Sequence, residues 1–382
     1  MNRKHIFFYK FLRPFVIVFL WIKFGYRFKK AKNLPENYIV LSNHTTDFDP
    51  LFVAASFPRQ MYFVGSEHIA RWKRAYKFLQ YAFAPIMRYK GTVATSTVMD
   101  VLRKVRKGAN VCIFAEGVRS WDGVTNPILP STGKLIQSSG CALVTYKLVG
   151  GYFTSPNWSA SSNTRRGYMR GAPVSVYTKE QIASMSIEEI NEAICKDLYE
   201  DAYARQISSP KKYRGKRLAE SIESLLFICP KCGKIDCFRS QKNTTTCKYC
   251  GLSFEYDQFG MLSGNIPFRT VKDFSDWQKQ KVEKDAQKGV AYSSSEATLL
   301  TVAKHQEEVV ANGEVVLNSE VLRCGNTEIL VRDISDMAIH GRYALVFSAG
   351  KTYYELKLSN ESNALKFLLL FDQYKKLISL KG

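Results

Sequence analysis

Two cysteine pairs in the middle of the chain constrain it most. Cys229 and Cys232 form one CxxC, Cys247 and Cys250 form another, and a glycine (Gly233, Gly251) follows each pair. Four thiolates at this spacing make two tight knuckles that clamp one tetrahedral ion, and glycine eases each turn. The set leaves no open coordination position, so the expected metal is a structural zinc. The alternatives are two disulfides or a redox dithiol. The paired symmetry speaks against both, and the odd total of nine cysteines without a recognisable signal peptide points to a reducing compartment. Cys237 falls outside the pattern.

A chain of 382 residues is too long for one ordinary domain, and 46% hydrophobic residues argue for a real core. Five segments are expected: a membrane-associated helical segment over 1–35, an α/β domain with a central mixed sheet flanked by helices over 36–205, a basic linker over 206–226, a zinc ribbon over 227–262, and a small β-rich domain over 263–382. In the second segment, strands are predicted at Tyr38–Leu41, Gln60–Val64, Ala109–Phe114 and Ala142–Leu148. Helices are predicted at Leu51–Ser56, Ala70–Leu79, Ala94–Lys107 and Ile187–Ala204. The tail has short strands separated by turn residues and ends in a helix that repeats apolar groups from Ala364 to Ile378. That plan is pleckstrin-homology-like, an architectural analogy that carries no function by itself.

The net charge of +21 favours polyanions: nucleic acid, anionic lipid or phosphorylated substrates. The first 35 residues decide between them. They hold nine Lys and Arg, no acidic residue, and many aromatics including Trp21 and Tyr26. The longest unbroken apolar run, Pro14 to Ile22, falls short of the roughly 20 residues a bilayer span needs. An in-plane or re-entrant helix on the cytoplasmic face of an anionic membrane is expected. A signal peptide or a buried core helix is the plainer alternative. The first lacks a small-residue cleavage site, and the second is poorly served by so many charges.

The chemistry is concentrated in "NHTTDFDP", residues 43–50. A histidine between a strand and a helix titrates near neutrality and can take a proton and return it. Asp49, at the start of the next helix, is placed to fold back onto His44; Asp47 is a rival partner or a helix N-cap. "ANVCIFAEGVRS" runs from a strand into a glycine turn and brings Glu116, Gly117, Arg119 and Ser120 to the end of that strand. Arg119 is suited to bidentate phosphate recognition, while Glu116 is expected to bind a substrate hydroxyl or hold Arg119 in place. "FAPIMRYKGT" adds Arg88 and Lys90 beside Gly91, two cations able to grip a phosphate. Each of these cations has solvated surface charge as its plainer reading.

Together these blocks resemble the glycerolipid acyltransferase family, the 1-acylglycerol-3-phosphate acyltransferases. "NHTTDFD" stands for its NHx4D block, "PIMRYKG" for an arginine-bearing second block, "EGVRS" for EGTRS, and "CALVTYKLVGG" for an apolar fourth block. Val118 replaces the usual Thr, and Tyr146 and Lys147 stand where a proline-containing strand is common. The resemblance covers residues 1–200. It implies that His44, oriented by Asp49, deprotonates a lysophospholipid hydroxyl, which attacks the thioester of acyl-CoA or acyl-carrier protein. Backbone donors near the first block would hold the oxyanion. Arg119 and Glu116, with Arg88 and Lys90, would hold the glycerol phosphate. No catalytic cofactor is implied. Another lysophospholipid, glycolipid or aminolipid hydroxyl is the alternative acceptor. A zinc-ribbon nucleic-acid binder is a distant second class, because the positive charge is spread over the whole chain, and a catalytically dead lipid-binding scaffold is a third.

Overall fold

The computed structural model describes residues 2–66, 73–88, 95–303 and 306–380. The chain divides into two compact units: one runs to Lys216 and includes 258–260, the other takes Arg217–Asp257 and continues from Met261.

The first unit opens with helix α1 (Arg3–Phe24) and strand β1 (Tyr26–Phe28). It continues through β2 (Tyr38–Ser42), α2 (Asp49–Ser56), β3 (Met61–Ser66), α3 (Lys73–Ala82), β4 (Ile86–Arg88), α4 (Thr95–Arg106) and β5 (Asn110–Phe114). After these come α5 (Ser131–Ser139), β6 (Ala142–Val149), α6 (Gly151–Thr154), β7 (Met169–Tyr177), α7 (Lys179–Ser184), α8 (Ile187–Leu198) and α9 (Ala202–Ser208). The sheet order is β1-β7-β6-β2-β5-β3-β4, parallel except for the β6–β7 pair. This is the expected mixed sheet flanked by helices.

Strand β2 explains why its sequence is apolar without alternation. It is central, and every residue of it is buried. Tyr38 and Val40 face a layer with Phe24, Phe52 and Val53; Ile39 and Leu41 face the other layer with Val101, Ile136 and Ile190. A strand covered on both faces needs apolar groups at every position.

Three expectations change. Helix α1 runs for 22 residues and is long and apolar enough to cross a membrane by length and composition. Counting an unbroken apolar run missed this, because interspersed Lys and Arg do not stop a helix. The single helix expected over Ile187–Ala204 is two helices. Asp201 starts the second by accepting from the Ala204 amide, 2.9 Å. The basic linker is fastened rather than free over its first part. Gln206 and Tyr213 are buried, the Tyr213 amide donates to the Gln258 carbonyl (2.7 Å), and the Arg214 and Arg166 backbones each donate to the other's carbonyl (2.9 and 3.0 Å).

The second unit holds a four-stranded sheet of β8 (Phe238–Gln241), β9 (Thr244–Cys247), β10 (Ser253–Tyr256) and β11 (Leu262–Gly264), then helix α10 (Val271–Gln287). Seven further strands follow: β12 (Tyr292–Ala303), β13 (Gln306–Leu317), β14 (Val321–Cys324), β15 (Thr327–Leu330), β16 (Ile334–His340), β17 (Ala344–Ala349) and β18 (Thr352–Leu358). They form one antiparallel sheet in the order β15-β14-β13-β12-β18-β17-β16, and helix α11 (Ala364–Ser379) ends the unit. The ribbon and the β-rich tail therefore belong to one unit. Lys366 of α11 is buried, and its Nζ bonds the Asp236 carboxylate and the Ser293 carbonyl.

Candidate active site and metal centre

The parallel pairing of β2 and β5 brings the first and third sequence blocks together. Ser42 is in register with Phe114, so the segments leaving the two strands run side by side. The Ala115 amide donates to the Ser42 carbonyl (3.2 Å) and the Ser120 amide to the His44 carbonyl (3.1 Å). Asn43 extends the pairing on the other side. Its side-chain amide donates to the Leu148 carbonyl (2.9 Å) and accepts from the Leu148 amide (2.7 Å), as a further strand residue would.

His44 leaves this frame with its ring stacked on Phe114, centroids 4.5 Å apart. Its Nδ1 lies 2.9 Å from Asp49 Oδ2. Asp49 is the first residue of α2 and fully buried. Its Oδ2 also accepts from the Thr45 amide (2.5 Å) and the Thr46 amide (2.9 Å), and its Oδ1 from the Thr45 and Thr46 hydroxyls (3.2 and 2.8 Å). Four donors leave this carboxylate no role except acceptor toward the imidazole. The Nδ1 therefore carries the proton, and Nε2 is the basic nitrogen. The ring is partly open to solvent, with 20% of the side chain exposed.

Asp47 does neither of the things expected of it. The residue preceding α2 is Phe48, whose amide donates to Thr46 Oγ1, so Asp47 is no cap. It points instead at Arg119, with Oδ1 3.2 Å from Nε, and accepts from Ser161 Oγ (2.7 Å). Arg119 is mostly buried, and its Nη1 has no hydrogen-bond partner among the described residues.

Glu116 does not hold Arg119. It is buried and accepts from the His44 amide (2.6 Å) at one oxygen, and from the Asn126 amide and side chain (2.6 and 3.0 Å) at the other. Burial pushes its pKa up to about 8 against the pull of these donors. Glu116 thus buckles the first block to the loop after the third. Gly117 turns the chain at a φ of +70°, and Ser120 Oγ accepts from the Gly123 amide (2.9 Å). The amides of His44, Thr45 and Thr46 are all engaged, so these three first-block donors are already in use.

Arg88 ends β4, the edge strand, three strands from β2. At roughly 4.8 Å per strand it stands about 14 Å along the same sheet edge, and the structure does not group it with His44. Lys90 lies outside the described residues. Several supporting residues carried no separate expectation: Asn43, Thr45, Thr46, Phe114, Asn126 and Gly151. A Cβ on Gly151 would lie 2.1 Å from Thr45 Oγ1. The two threonines preceding a carboxylate were the readable signal; Asn126 had none.

In the second unit the four cysteine sulfurs lie within 4.8 Å of one another, with Cys229–Cys250 at 3.6 Å and Cys232–Cys247 at 3.8 Å. A tetrahedral ion with M–S bonds of about 2.3 Å needs sulfurs roughly 3.8 Å apart, so the set fits. The two knuckles repeat each other. The Gly233 and Gly251 amides donate to the Cys229 and Cys247 carbonyls, and the Cys229 and Cys247 amides donate to the carbonyls five residues on. Both glycines sit at a φ of +71°, where a side chain is strained. Cys237 is buried nearby and donates to the Phe227 carbonyl.

A comparison with curated proteins found no match. Among solved structures, the 1-acyl-sn-glycerophosphate (LPA) acyltransferase PlsC from Thermotoga maritima is similar at 16% identity and a TM-score of 0.41, over 49% of this chain and 75% of that one. A family model described as Acyltransferase matches residues 25–149, a span that contains His44, Asp49, Glu116 and Arg119. Residues 25–149 are an acyltransferase-family domain.

Proposed function

We propose that the first unit is a membrane-associated O-acyltransferase that acylates the free hydroxyl of 1-acyl-sn-glycerol 3-phosphate to give phosphatidic acid. The acyl donor is acyl-CoA or acyl-carrier protein. The observation that carries this reading is the buried Asp49 carboxylate set 2.9 Å from His44 Nδ1 while it accepts from four other donors. His44 Nε2 takes the hydroxyl proton as the oxygen attacks the thioester carbonyl. The tetrahedral oxyanion collapses, the C–S bond breaks, and the imidazolium returns its proton to the departing thiolate. Arg119, whose Nη1 has no hydrogen-bond partner among the described residues, is the phosphate ligand. Glu116 serves by positioning His44. Acyl transfer from labelled acyl-CoA and acyl-carrier protein to lysophosphatidic acid tests the reading. It stands if transfer occurs and disappears in His44→Ala, and falls if a folded wild type transfers from neither donor to any lysolipid.

One feature favours a second acceptor class. Asp47 places a half-exposed carboxylate on Arg119, which disfavours a dianionic phosphate monoester and favours a headgroup carrying an amine. Lysophosphatidylethanolamine assayed beside lysophosphatidic acid separates the two, and Asp47→Asn should shift preference toward the phosphate monoester.

Attachment to the cytoplasmic face of a membrane is assigned to α1 lying in the plane. Phe7, Phe11, Phe15, Val18 and Ile22 form one exposed stripe at helical spacing. The opposite face is fastened to the domain: Tyr9 OH donates to the Ala54 carbonyl (2.7 Å), and Arg13 donates twice to the Ala55 carbonyl (3.1 and 2.8 Å). The four-cysteine centre is assigned a structural zinc, which would be held by Cys229, Cys232, Cys247 and Cys250.

A further inference from the structure

A cavity of about 550 Å³ opens in the first unit at the opposite end of the sheet from His44. His44 lies two residues beyond the end of β2, whereas Ala109, which lines the cavity, precedes the first residue of β5. A five-residue strand, roughly 15 Å, separates the two places. The volume is that of a small-molecule site. Pro85, Ile86 and Met87 supply apolar wall. Arg103, Lys104 and Lys107, at the C-terminal end of α4, supply positive charge, and among the described lining residues only Asp100 opposes them. Asp100 is taken up by Arg103 (2.7 Å). Lys104 Nζ sits 3.8 Å over the Tyr62 ring, and Tyr62 OH is 3.0 Å from His5 Nδ1. Burial, ahead of any neighbouring charge, lowers the Lys104 pKa, and an anion beside it would offset that cost.

The rim of the cavity continues into the apolar surface of α1 and α3. Asn2, which caps α1, and Gln80 of α3 both line it. Lys4 Nζ lies 3.7 Å over the Tyr81 ring, and Phe8 packs edge-on against Phe78 and Tyr81. Phe7, Phe78 and Tyr81 are 62, 47 and 56% exposed. A ligand here meets cations and an apolar wall inside and an aromatic surface outside, a pattern matched by an amphiphile with an anionic head. We propose that this cavity takes the headgroup of an anionic phospholipid whose chains lie along α1 and α3, at a site separate from the acyl-transfer centre. The site deepens the membrane reading of α1 and is independent of the reaction.

The test uses the full chain in nonionic detergent with dihexanoyl phosphatidylglycerol as probe, read by calorimetry. Arg103→Glu/Lys107→Glu should weaken binding by about tenfold or more, and the milder Arg103→Gln/Lys107→Gln should weaken it less. Lys179→Glu/Lys196→Glu, an equal charge change elsewhere in the unit, should leave it intact, and dihexanoyl phosphatidylcholine should bind more weakly. Acyl transfer in micelles should be unchanged in all variants. The proposal is overturned if the first pair binds as wild type, if the control pair loses as much, or if inorganic phosphate displaces the lipid at equal concentration, which would mark a free-phosphate site. A failure of the membrane reading alone is distinguishable: vesicle binding would be lost while the monomeric probe still bound.

Discussion

Gly151→Ala probes how tightly the His44–Asp49 geometry is built, because the change lies outside that pair. Gly151 is buried at the start of α6, and a Cβ there would stand 2.1 Å from Thr45 Oγ1 and 2.9 Å from Thr45 Cβ. Ordinary contact begins near 3.4 Å, so the hydroxyl must retreat by about 1.3 Å. It cannot do so independently. The Thr45 hydroxyl and amide both bond Asp49, and Asp49 sets the His44 ring. Overpacking of this kind costs about 1–3 kcal/mol of stability, and a misplacement near 1 Å costs roughly 100-fold in rate. The measurement is single-turnover acyl transfer beside urea denaturation. The variant should remain folded, lose kcat by about 10- to 100-fold and keep its acceptor KM, since no phosphate ligand moves. Thr45→Ala in the same chain removes the hydroxyl and leaves the 2.9 Å approach to its Cβ, which asks for about 0.5 Å in place of 1.3 Å. The double variant should therefore recover part of the loss that Gly151→Ala causes. A folded Gly151→Ala variant with wild-type kcat would refute the chain of contacts from Gly151 to His44. So would a loss confined to KM.

Asp49→Asn turns one acceptor into a donor facing donors and removes the lock on the His44 tautomer; kcat should fall by about 10⁴-fold, and a loss under tenfold in folded protein would sink the base assignment. Glu116 has a folded pKa of about 8, raised chiefly by burial above its ordinary value of 4.5. The native state binds that proton more tightly, so this contribution is fully present below about 4.5 and is lost as pH rises through about 8. Relative to Glu116→Gln, wild-type stability should decline across that window in urea titrations; parallel profiles would refute it. Metal analysis should find zinc, and a chelator or Cys232→Ser should unfold the second unit's knuckles, seen as lost amide protection over 229–251. Protection unchanged by complete metal removal would exclude a structural role. Phe11→Glu/Phe15→Glu removes two rings from the exposed α1 stripe, each worth about 1.5–3 kcal/mol when buried, and flotation with anionic vesicles should fall at least tenfold while micellar turnover persists.

The sheet of the first unit was legible because its central strands are buried on both faces. Tyr38–Leu41, Ala109–Phe114 and Ala142–Leu148 read as continuous apolar runs for that reason, and they are β2, β5 and β6 almost to the residue. The two edge strands, and β7 beside one of them, were not legible. Strands β1, β4 and β7 expose part of their surface, and β1 and β4 are three residues long, too short for a period to show. The break between α8 and α9 was written in Asp201 as a capping residue, but the apolar period on either side hides it.

The same division runs through the site. Residue types named the pair, since few side chains do what His44 and Asp49 can do together. Their partners could not be named, because a hydrogen bond between residues far apart in sequence leaves no local trace. Asn126 reaches Glu116 across ten residues and Asn43 reaches Leu148 across 105, and neither has a pattern around it. Glu116 is the clearest case. Its place in the motif suggested contact with substrate, and the chain uses both its oxygens on backbone and amide donors instead. A motif residue can therefore spend its acceptors on holding a site together and none on a substrate. The motif then marks a fixed spatial relation between two strand ends, and Glu116 is the bond that sets it.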